Sequence, residues 1–144
     1  MVWGALTITI LYLTFGTVFY GTRNSISKLA LDWNKWLFTL YMVLETFLVV
    51  PCMFDLTSTG FQWLVFFIAL GLLLTGAASI DNKDDLKYHY IGAALACLGS
   101  IGWLCVINPI LLIVPVMAIA CGDKSMLQWN GEVGLMLSVY LTLL

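Results

Sequence analysis

Glu45 is the residue of this sequence whose position is hardest to reconcile with a purely structural role. It stands near the middle of the apolar residues 36–54, and a charged side chain at such a depth in a bilayer costs about 2.5–3.5 kcal/mol. The middles of the other apolar stretches hold no Lys, Arg or His to neutralise it. We therefore expect a protonated Glu45 facing protein or water. It serves either as a neutral interhelical hydrogen-bond donor or in proton movement or ligand binding.

His89 is the only histidine of the chain, and it stands at the start of another apolar stretch. A histidine can change charge near neutral pH. A single imidazole does not make a zinc site, which needs three or four ligands, so no metal, cofactor or catalytic constellation is predicted. His89 either pairs with a carboxylate or is satisfied by water or a loop carbonyl; the candidate carboxylates are Asp84, Asp85, Asp123 and Glu132.

The composition shows what kind of structure must position these residues. Of the 144 residues, 62% are hydrophobic and 10% are charged, whereas soluble domains have about 45–50% apolar and about 25% charged residues. This excludes a soluble globular protein. The formal net charge of -2 arises from 6 basic and 8 acidic residues, which leaves no basic face for a nucleic acid.

The apolar stretches predict an all-α, polytopic membrane bundle of six spans forming one domain over residues 1–144. The predicted spans are residues 3–20, 36–54, 61–80, 88–107, 109–121 and 126–144. One helix over residues 88–121 would be about 51 Å long, too long for a hydrocarbon core of about 30 Å. We therefore expect a hairpin with Asn108 as N-cap and Pro109 in the first turn. We also expect Asp84 or Asp85 to cap the fourth span.

The basic residues predict the orientation, because Lys and Arg favour cytoplasmic loops. All six fall on one side of the six-span map: Arg23, Lys28, Lys35, Lys83, Lys87 and Lys124. Both termini are thus predicted on the non-cytoplasmic side of the cell membrane. Aromatic residues that prefer membrane interfaces fall at matching levels, with Trp103 and Tyr140 among those at the outer one.

The same map predicts a polar pocket open to the cytoplasmic side. Its candidate lining is His89, Glu132, Asp123, Ser25 and Ser27, with Glu45 deeper.

Small residues on the fourth span predict a helix-packing surface, because they let helices approach closely in lipid. These are Gly92, Ala93, Ala96, Gly99 and Ser100, and Gly71, Thr75, Gly76 and Ser79 of the third span are their expected mates. A contact between two copies of the chain is the alternative. A protonated Glu45 can donate one hydrogen bond, and Pro115 should free the carbonyl of Leu111 in the fifth span as an acceptor, just as Pro51 frees that of Phe47 in the second.

Two segments resemble a known family. The sequence His89-Tyr90-Ile91-Gly92-Ala93 resembles the His-x-x-Gly-Ala signature of the damage-regulated autophagy modulator (DRAM) and FGF-receptor-activating-protein group, and Asn24-Ser25-Ile26-Ser27 resembles the Ile-Ser segment of its first loop. The resemblance implies a six-span protein of membrane organisation, lipid-linked signalling or trafficking, without established catalytic residues. That group places its first loop outside, opposite to the side that the basic residues indicate here.

These observations predict a non-enzymatic membrane protein. It would bind a membrane lipid, a small hydrophobic ligand or a partner membrane protein, which could be a second copy of the chain. The first alternative is a proton- or ion-conducting channel or transporter that uses Glu45. The second is a membrane-embedded lipid-modifying enzyme that uses carboxylates, Ser25, Ser27 and His89.

Overall fold

The protein is built from α-helices. The computed structural model describes residues 1–21, 25–26, 28, 35–78 and 82–144, and these residues contain helices but no strand. The helices, numbered in chain order, are α1 Val2–Tyr20, α2 Lys35–Leu56, α3 Gln62–Ala77, α4 Lys83–Ile107, α5 Ile113–Cys121 and α6 Leu127–Leu143. Short 3₁₀ turns precede three of them, at Thr59–Phe61, Pro109–Leu112 and Lys124–Met126.

Within the described residues, four helical segments are long and apolar enough to cross a membrane. They are Val2–Tyr20, Lys35–Leu56, Thr59–Ala77 and Lys83–Ile107, with 19 to 25 residues each. A spanning helix needs about 20 residues, so the chain is a helical membrane protein, as predicted. The other two helical segments are shorter: Pro109–Cys121 is apolar, and α6 has 17 residues.

The start of α4 differs from the prediction. The side chain of Asn82 accepts a hydrogen bond from the backbone amide of Asp84 at 3.0 Å, so Asn82 is the N-cap and the helix begins at Lys83. The expectation that Asp84 or Asp85 is the cap was wrong. Both lie in the first turn, where a carboxylate interacts favourably with the positive end of the helix dipole.

The turn between α4 and α5 lies where the sequence predicts it. Asn108 occupies the position before a 3₁₀ turn whose first residue is Pro109. The backbone amide of Asn108 donates to the carbonyl of Leu104 at 2.9 Å and its carbonyl accepts from the amide of Leu111 at 3.1 Å. Proline suits this position because it has no N–H to leave unsatisfied.

The helices surround a central space. Helix α1 packs on α2, α2 on α3 and α3 on α4. Helix α6 closes the ring by contacting α1, α2 and α4, and α5 lies against α6. One buried cluster contains Tyr12, Ile26, Phe38, Tyr41 and Met42, in which the rings of Tyr12 and Tyr41 stack with centroids 4.3 Å apart. A second cluster, which includes Met53, Val65, Trp103 and Leu104, fills the opposite end of the bundle.

The α3 and α4 backbones approach closely where small residues meet. A Cβ on Gly71 would lie 2.7 Å from the carbonyl oxygen of Gly92, and a Cβ on Gly92 would lie 2.7 Å from the amide nitrogen of Thr75. Both distances are below what a real Cβ contact allows, so only glycine permits this crossing. Gly99 also faces α3, against Ile68, whereas the backbone of Gly76 faces Met42 of α2.

The α5 and α6 helices form a second close pair. A Cβ on Gly134 would lie 2.7 Å from the Cα of Pro115, and the hydroxyl of Ser138 donates to the carbonyl of Leu111 at 2.9 Å. Pro115 lacks the amide that would otherwise use this carbonyl. The carbonyl of Leu111 is therefore free to accept from another helix, as predicted, but its donor is Ser138 and not Glu45, which contacts Thr9 and Tyr140 instead.

Large apolar side chains cover the outside of the bundle. Among the most exposed are Val18, Phe19, Phe47, Leu98, Ile110 and Val116, an outer surface that suits lipid rather than water. Two of the aromatic residues that the sequence predicts at the outer level, Trp103 and Tyr140, point into the bundle. Trp103 is fully buried and Tyr140 is 4% exposed; the indole N–H of Trp103 donates to the Thr57 hydroxyl at 2.7 Å.

Candidate functional site

Glu45 lies inside the bundle and is held by hydroxyl groups from two other helices. The hydroxyl of Thr9 on α1 donates to its Oε1, and the hydroxyl of Tyr140 on α6 donates to its Oε2 at 2.5 Å. The two hydroxyl oxygens lie 2.8 Å apart, and the hydroxyl of Tyr41 is 3.4 Å from that of Thr9. Glu45, Thr9, Tyr140 and Tyr41 form the Glu45 cluster.

The helices place this cluster well inside the apolar layer. Glu45 is ten residues after the first residue of α2, which corresponds to about 15 Å along the axis. Its 5% exposure and its partners on α1 and α6 mean that the carboxyl group links three helices. A polar group buried in hydrocarbon is costly unless it is hydrogen-bonded, and here both carboxyl oxygens have partners.

His89 is buried at the opposite end of α4 from Trp103 and contacts the end of α3. Its Nδ1 is 3.0 Å from the carbonyl oxygen of Thr75, one of the last carbonyls of α3, which have no partner within their own helix. The neighbouring carbonyl of Gly76 accepts a hydrogen bond from the hydroxyl of Thr39 at 2.6 Å. The two side chains, from α4 and α2, therefore cap the C-terminus of α3.

Glu132 ties α6 to the segment before α2. One of its oxygens accepts from the backbone amide of Ile26 at 2.7 Å, and the other accepts from the side-chain amide of Gln128 at 2.9 Å. Ser25 is 1% exposed, and its hydroxyl accepts from the backbone amide of Lys28 at 3.2 Å, the pattern of an N-cap. Glu132 therefore holds this buried segment against the bundle.

A cavity of about 150 Å³ connects these groups. Its lining residues are Phe38, Tyr41, Met42, Glu45, Val49 and Met53 on α2, His89, Tyr90, Ala93, Ala96, Cys97 and Ser100 on α4, and Gln128, Glu132, Leu135, Met136, Val139 and Tyr140 on α6. Residues of α3 and Ile26 complete it. On each helix the lining residues recur mainly at steps of three and four, so they lie on one face of that helix. The lining residues of α2, from Phe38 to Met53, extend over about 22 Å of the helix axis.

The exposure of the lining residues locates the opening of this cavity. On α4, Tyr90 is 61% exposed and Ser100 only 8%, with half-buried residues between them. On α6, Gln128 is exposed, Glu132 half-buried and Leu135 buried. The lining residues of α2 are buried throughout. The cavity therefore opens between the first halves of α4 and α6, here called the α4–α6 mouth, and is closed at its far end.

The structure brings together three of the predicted site residues. Glu45, His89 and Glu132 all line the cavity, whose walls are mostly apolar. Ser25 lies beside it, buried next to Ile26, and Ser27 lies outside the described residues. Of the predicted packing residues, Gly92 and Gly99 face α3, whereas Ala96 and Ser100 line the cavity.

Asp123 lies apart from the cavity. It is exposed, and its carboxylate accepts a hydrogen bond from the backbone amide of Ser125 at 2.8 Å. This hydrogen bond lowers the pKa of the Asp123 carboxyl, because it stabilises the charged form. Asp123 thus caps the turn before α6. The described His, Cys, Asp and Glu side chains do not assemble a group of three that could hold a metal ion.

Sequence reasoning missed the hydroxyl partners of Glu45. Tyr140 was assigned to the outer interface on residue type alone, and Thr9 was not singled out. A threonine within an apolar span is a usable signal, because a buried hydroxyl needs a partner.

The chain was compared with protein-family models, curated proteins and solved structures, and it matches none of them.

Proposed function

We propose that this protein is a non-enzymatic integral membrane protein that binds a lipid or a small hydrophobic ligand in the cavity between α2, α4 and α6. The observation that carries this proposal is the α4–α6 mouth. Its lining residues become gradually more buried from Tyr90 to Ser100 on α4 and from Gln128 to Leu135 on α6. A ligand dissolved in the membrane can enter such a cleft sideways without crossing water.

The size and shape of the cavity support a slender apolar ligand. A dry, apolar cavity of about 150 Å³ is large enough to bind benzene, and this cavity extends along the helix axes. Apolar walls with a few placed polar groups are typical of small-molecule sites. A single alkyl chain with a small polar head matches this distribution, with the chain toward Val49 and Val139 and the head toward Glu132.

The hydrogen bonds of the polar residues support binding rather than catalysis. The Nδ1 of His89 is engaged by the carbonyl of Thr75, and both oxygens of Glu132 accept structural hydrogen bonds. A general base must reach the proton that it abstracts and needs a partner to activate. The hydrogen bond of His89 instead joins it to the end of α3, which is a structural role.

Filling the mouth tests the proposal. In Ala93→Phe, an aromatic ring occupies the cavity, and we expect native mass spectrometry of protein released from nanodiscs to lose most of any retained ligand. Ala94→Phe is the matched control, because Ala94 is the next residue of α4 and is exposed. Equal ligand retention by both variants, or a ligand-free wild type, would contradict the proposal.

Proton conduction is a second candidate, because the cavity reaches from the mouth to Glu45. A protonatable group in a membrane interior is a candidate relay. In liposomes with an imposed pH gradient, a conducting wild type should carry a proton flux that Glu45→Gln abolishes. Absence of a flux, or a flux that is the same in the variant, eliminates this candidate and leaves the binding proposal intact.

We also propose that α5 and α6 cross the cell membrane, giving six passes with both termini on the non-cytoplasmic side. The contacts support this map by grouping the helix ends. His89 meets Thr75 where predicted inner ends meet, and Trp103 meets Thr57 where predicted outer ends meet. The kinship with the DRAM group remains a proposal of the same kind, supported by the sequence resemblance. A partner membrane protein also remains a proposal, but Gly92 and Gly99 of the small-residue surface already pack against α3.

A further inference from the structure

The geometry points to the chemical class of the ligand: an amphiphile with one alkyl chain and a cationic amine head, bound with its ammonium group beside Glu132. This inference rests on the proposed ligand-binding function, and it adds the charge of the head group and the residue that recognises it. It is carried by the charges of the cavity, the hydrogen bonds of Glu132 and the aromatic residues around the mouth.

The ionisable groups of the cavity favour a cation. Its lining includes two carboxyl groups, Glu45 and Glu132, and among the described lining residues there is no Lys or Arg. Glu45 is already enclosed by the hydroxyls of Thr9 and Tyr140. Glu132 is half-buried and stands at the mouth, so it is the carboxyl group that an incoming ligand meets first.

Both carboxyl oxygens of Glu132 accept hydrogen bonds and retain room for further donors. Its two neighbours are an amide N–H of Ile26 and the side-chain N–H of Gln128, which are neutral and only donate. Both oxygens therefore act as acceptors, an arrangement that an ionised carboxylate satisfies, and an ammonium group beside Glu132 would favour that ionised form. An ionised carboxylate offers about four acceptor positions, so two stay open. An ammonium group supplies three donors and a positive charge, and such charge-assisted hydrogen bonds are among the strongest in proteins.

The remaining lining supports the same assignment. Aromatic rings of Phe38, Tyr41 and Tyr90 line the mouth half of the cavity, and an ammonium group is attracted to ring faces within about 6 Å. A carboxylate or phosphate head would instead meet Glu132 as a like charge, which is unfavourable in a low-dielectric site. Beyond Glu132 the α6 lining is apolar from Leu135 to Val139. Val139 lies about 10 Å along the helix axis from Glu132, and this apolar lining suits an alkyl chain.

A photolabelling comparison tests this inference on the full-length protein in phosphatidylcholine vesicles. Three probes carry the same diazirine-bearing decyl chain and differ only in the head: a primary amine, an alcohol or a carboxylate. Labelling of cavity peptides from α4 and α6 is divided by labelling of the lipid-facing α1 residue Phe15, which corrects for partition into the bilayer. We expect this ratio to be about tenfold higher for the amine than for the alcohol, and lowest for the carboxylate.

Variants assign the preference to Glu132. In Glu132→Gln, which keeps the size of the side chain, the amine and alcohol ratios should become about equal. Glu132→Asp retains the charge and should retain a preference for the amine, which separates the charge from the structural role of the residue. Asp84→Asn is the matched control, because Asp84 is exposed outside the cavity and its loss changes the net charge equally.

The outcomes separate the two levels of the proposal. Equal cavity labelling by all three heads, or an amine preference that survives in Glu132→Gln, overturns the amine assignment and leaves ligand binding standing. Cavity labelling no higher than that of Phe15 for every probe overturns ligand binding itself. Competition by unlabelled decylamine supports the assignment, and competition also by sphingosine, a single-chain lipid with an amine and no phosphate, identifies a lipid source. Failure of decylamine to compete contradicts the assignment.

Discussion

The hydrogen bonds of the Glu45 cluster require a count of protons. Glu45, Thr9 and Tyr140 make three contacts with one another, and each contact needs one hydrogen. If both hydroxyls donate to Glu45, the contact between Thr9 and Tyr140 has no hydrogen. It gains one when a protonated Glu45 donates to one hydroxyl, which then donates to the other. The neutral carboxylic acid expected from the sequence therefore satisfies all three contacts, and it removes the need for a cationic partner in the membrane interior.

Removing the hydroxyls of the Glu45 cluster should destabilise the bundle. Thr9→Val and Tyr140→Phe keep the shapes of the side chains, and each leaves a buried carboxyl oxygen without its partner, which costs about 1–3 kcal/mol. Because both hydroxyls bind the same carboxyl group and each other, we expect a coupling energy of about 0.5–3 kcal/mol in the double variant. The measurement is the free energy of unfolding in mixed detergent micelles.

The half-exposed Tyr88 gives the control for this cycle. Tyr88→Phe removes a hydroxyl outside the cluster and should change the free energy of unfolding by less than about 0.5 kcal/mol. Strictly additive effects of Thr9→Val and Tyr140→Phe would show that the two hydroxyls act separately, contrary to the cluster that the distances indicate.

The depth of Glu45 could be predicted from the sequence, but its partners could not. Depth follows from counting residues along an apolar helix. The partners depend on which face of α1 and α6 points inward, and amphipathic periodicity carries that information only when one face is polar. In this chain both the lipid-facing and the inward faces are apolar, so the sequence does not show that Tyr140 points inward to Glu45.

The C-terminus of α3 shows how one helix depends on its neighbours. Its Thr75 and Gly76 carbonyls are satisfied by His89 of α4 and Thr39 of α2. In hydrocarbon or at its edge, water is a poor substitute for these donors. His89 is thus an interhelical cap. Of the partners that the sequence leaves open for its imidazole, the structure shows a backbone carbonyl and not a carboxylate.

Substitutions at His89 distinguish this capping role from a role in ligand chemistry. His89→Ala should lower the free energy of unfolding by about 1–3 kcal/mol, because the Thr75 carbonyl loses its donor. His89→Asn places a side-chain N–H near the position of Nδ1 and should restore part of the loss. Thr39→Val should have a similar cost at the Gly76 carbonyl. Thermal unfolding in nanodiscs, followed by circular dichroism, measures all three.

A different order of stabilities would contradict the capping role. If His89→Asn is as unstable as His89→Ala while Thr39→Val has no effect, the end of α3 does not depend on these donors.

At the scale of the helices the sequence predicted most of the fold. Apolar runs gave the helices to within a few residues, and the early start of α4 was missed because Asn82 precedes a turn that is polar and carries no hydrophobic signal.

The whole molecule has an apolar exterior and a mixed interior. Polar side chains that a water-soluble protein would place outside lie here between helices, as in the Glu45 cluster, or at helix ends, as at His89 and Asp123. These interior polar groups do not determine which side of the membrane the α4–α6 mouth faces. The basic residues of the loops predict that side. The described ones lie before or at the start of α2, at the start of α4 and in the turn before α6: Lys28, Lys35, Lys83, Lys87 and Lys124.

Cysteine labelling in intact cells tests this sidedness. Single cysteines at Ser58 and Ser125, both exposed, are introduced after replacement of Cys52, Cys97, Cys105 and Cys121. We expect a membrane-impermeant maleimide to label Ser58→Cys in intact cells and Ser125→Cys only after permeabilisation. This result places the mouth at the cytoplasmic side, where Glu132 would meet amines of the inner leaflet or the cytoplasm. The reverse pattern contradicts the six-span orientation, moves the mouth to the outside, and brings the first loop to the side on which the DRAM group places it.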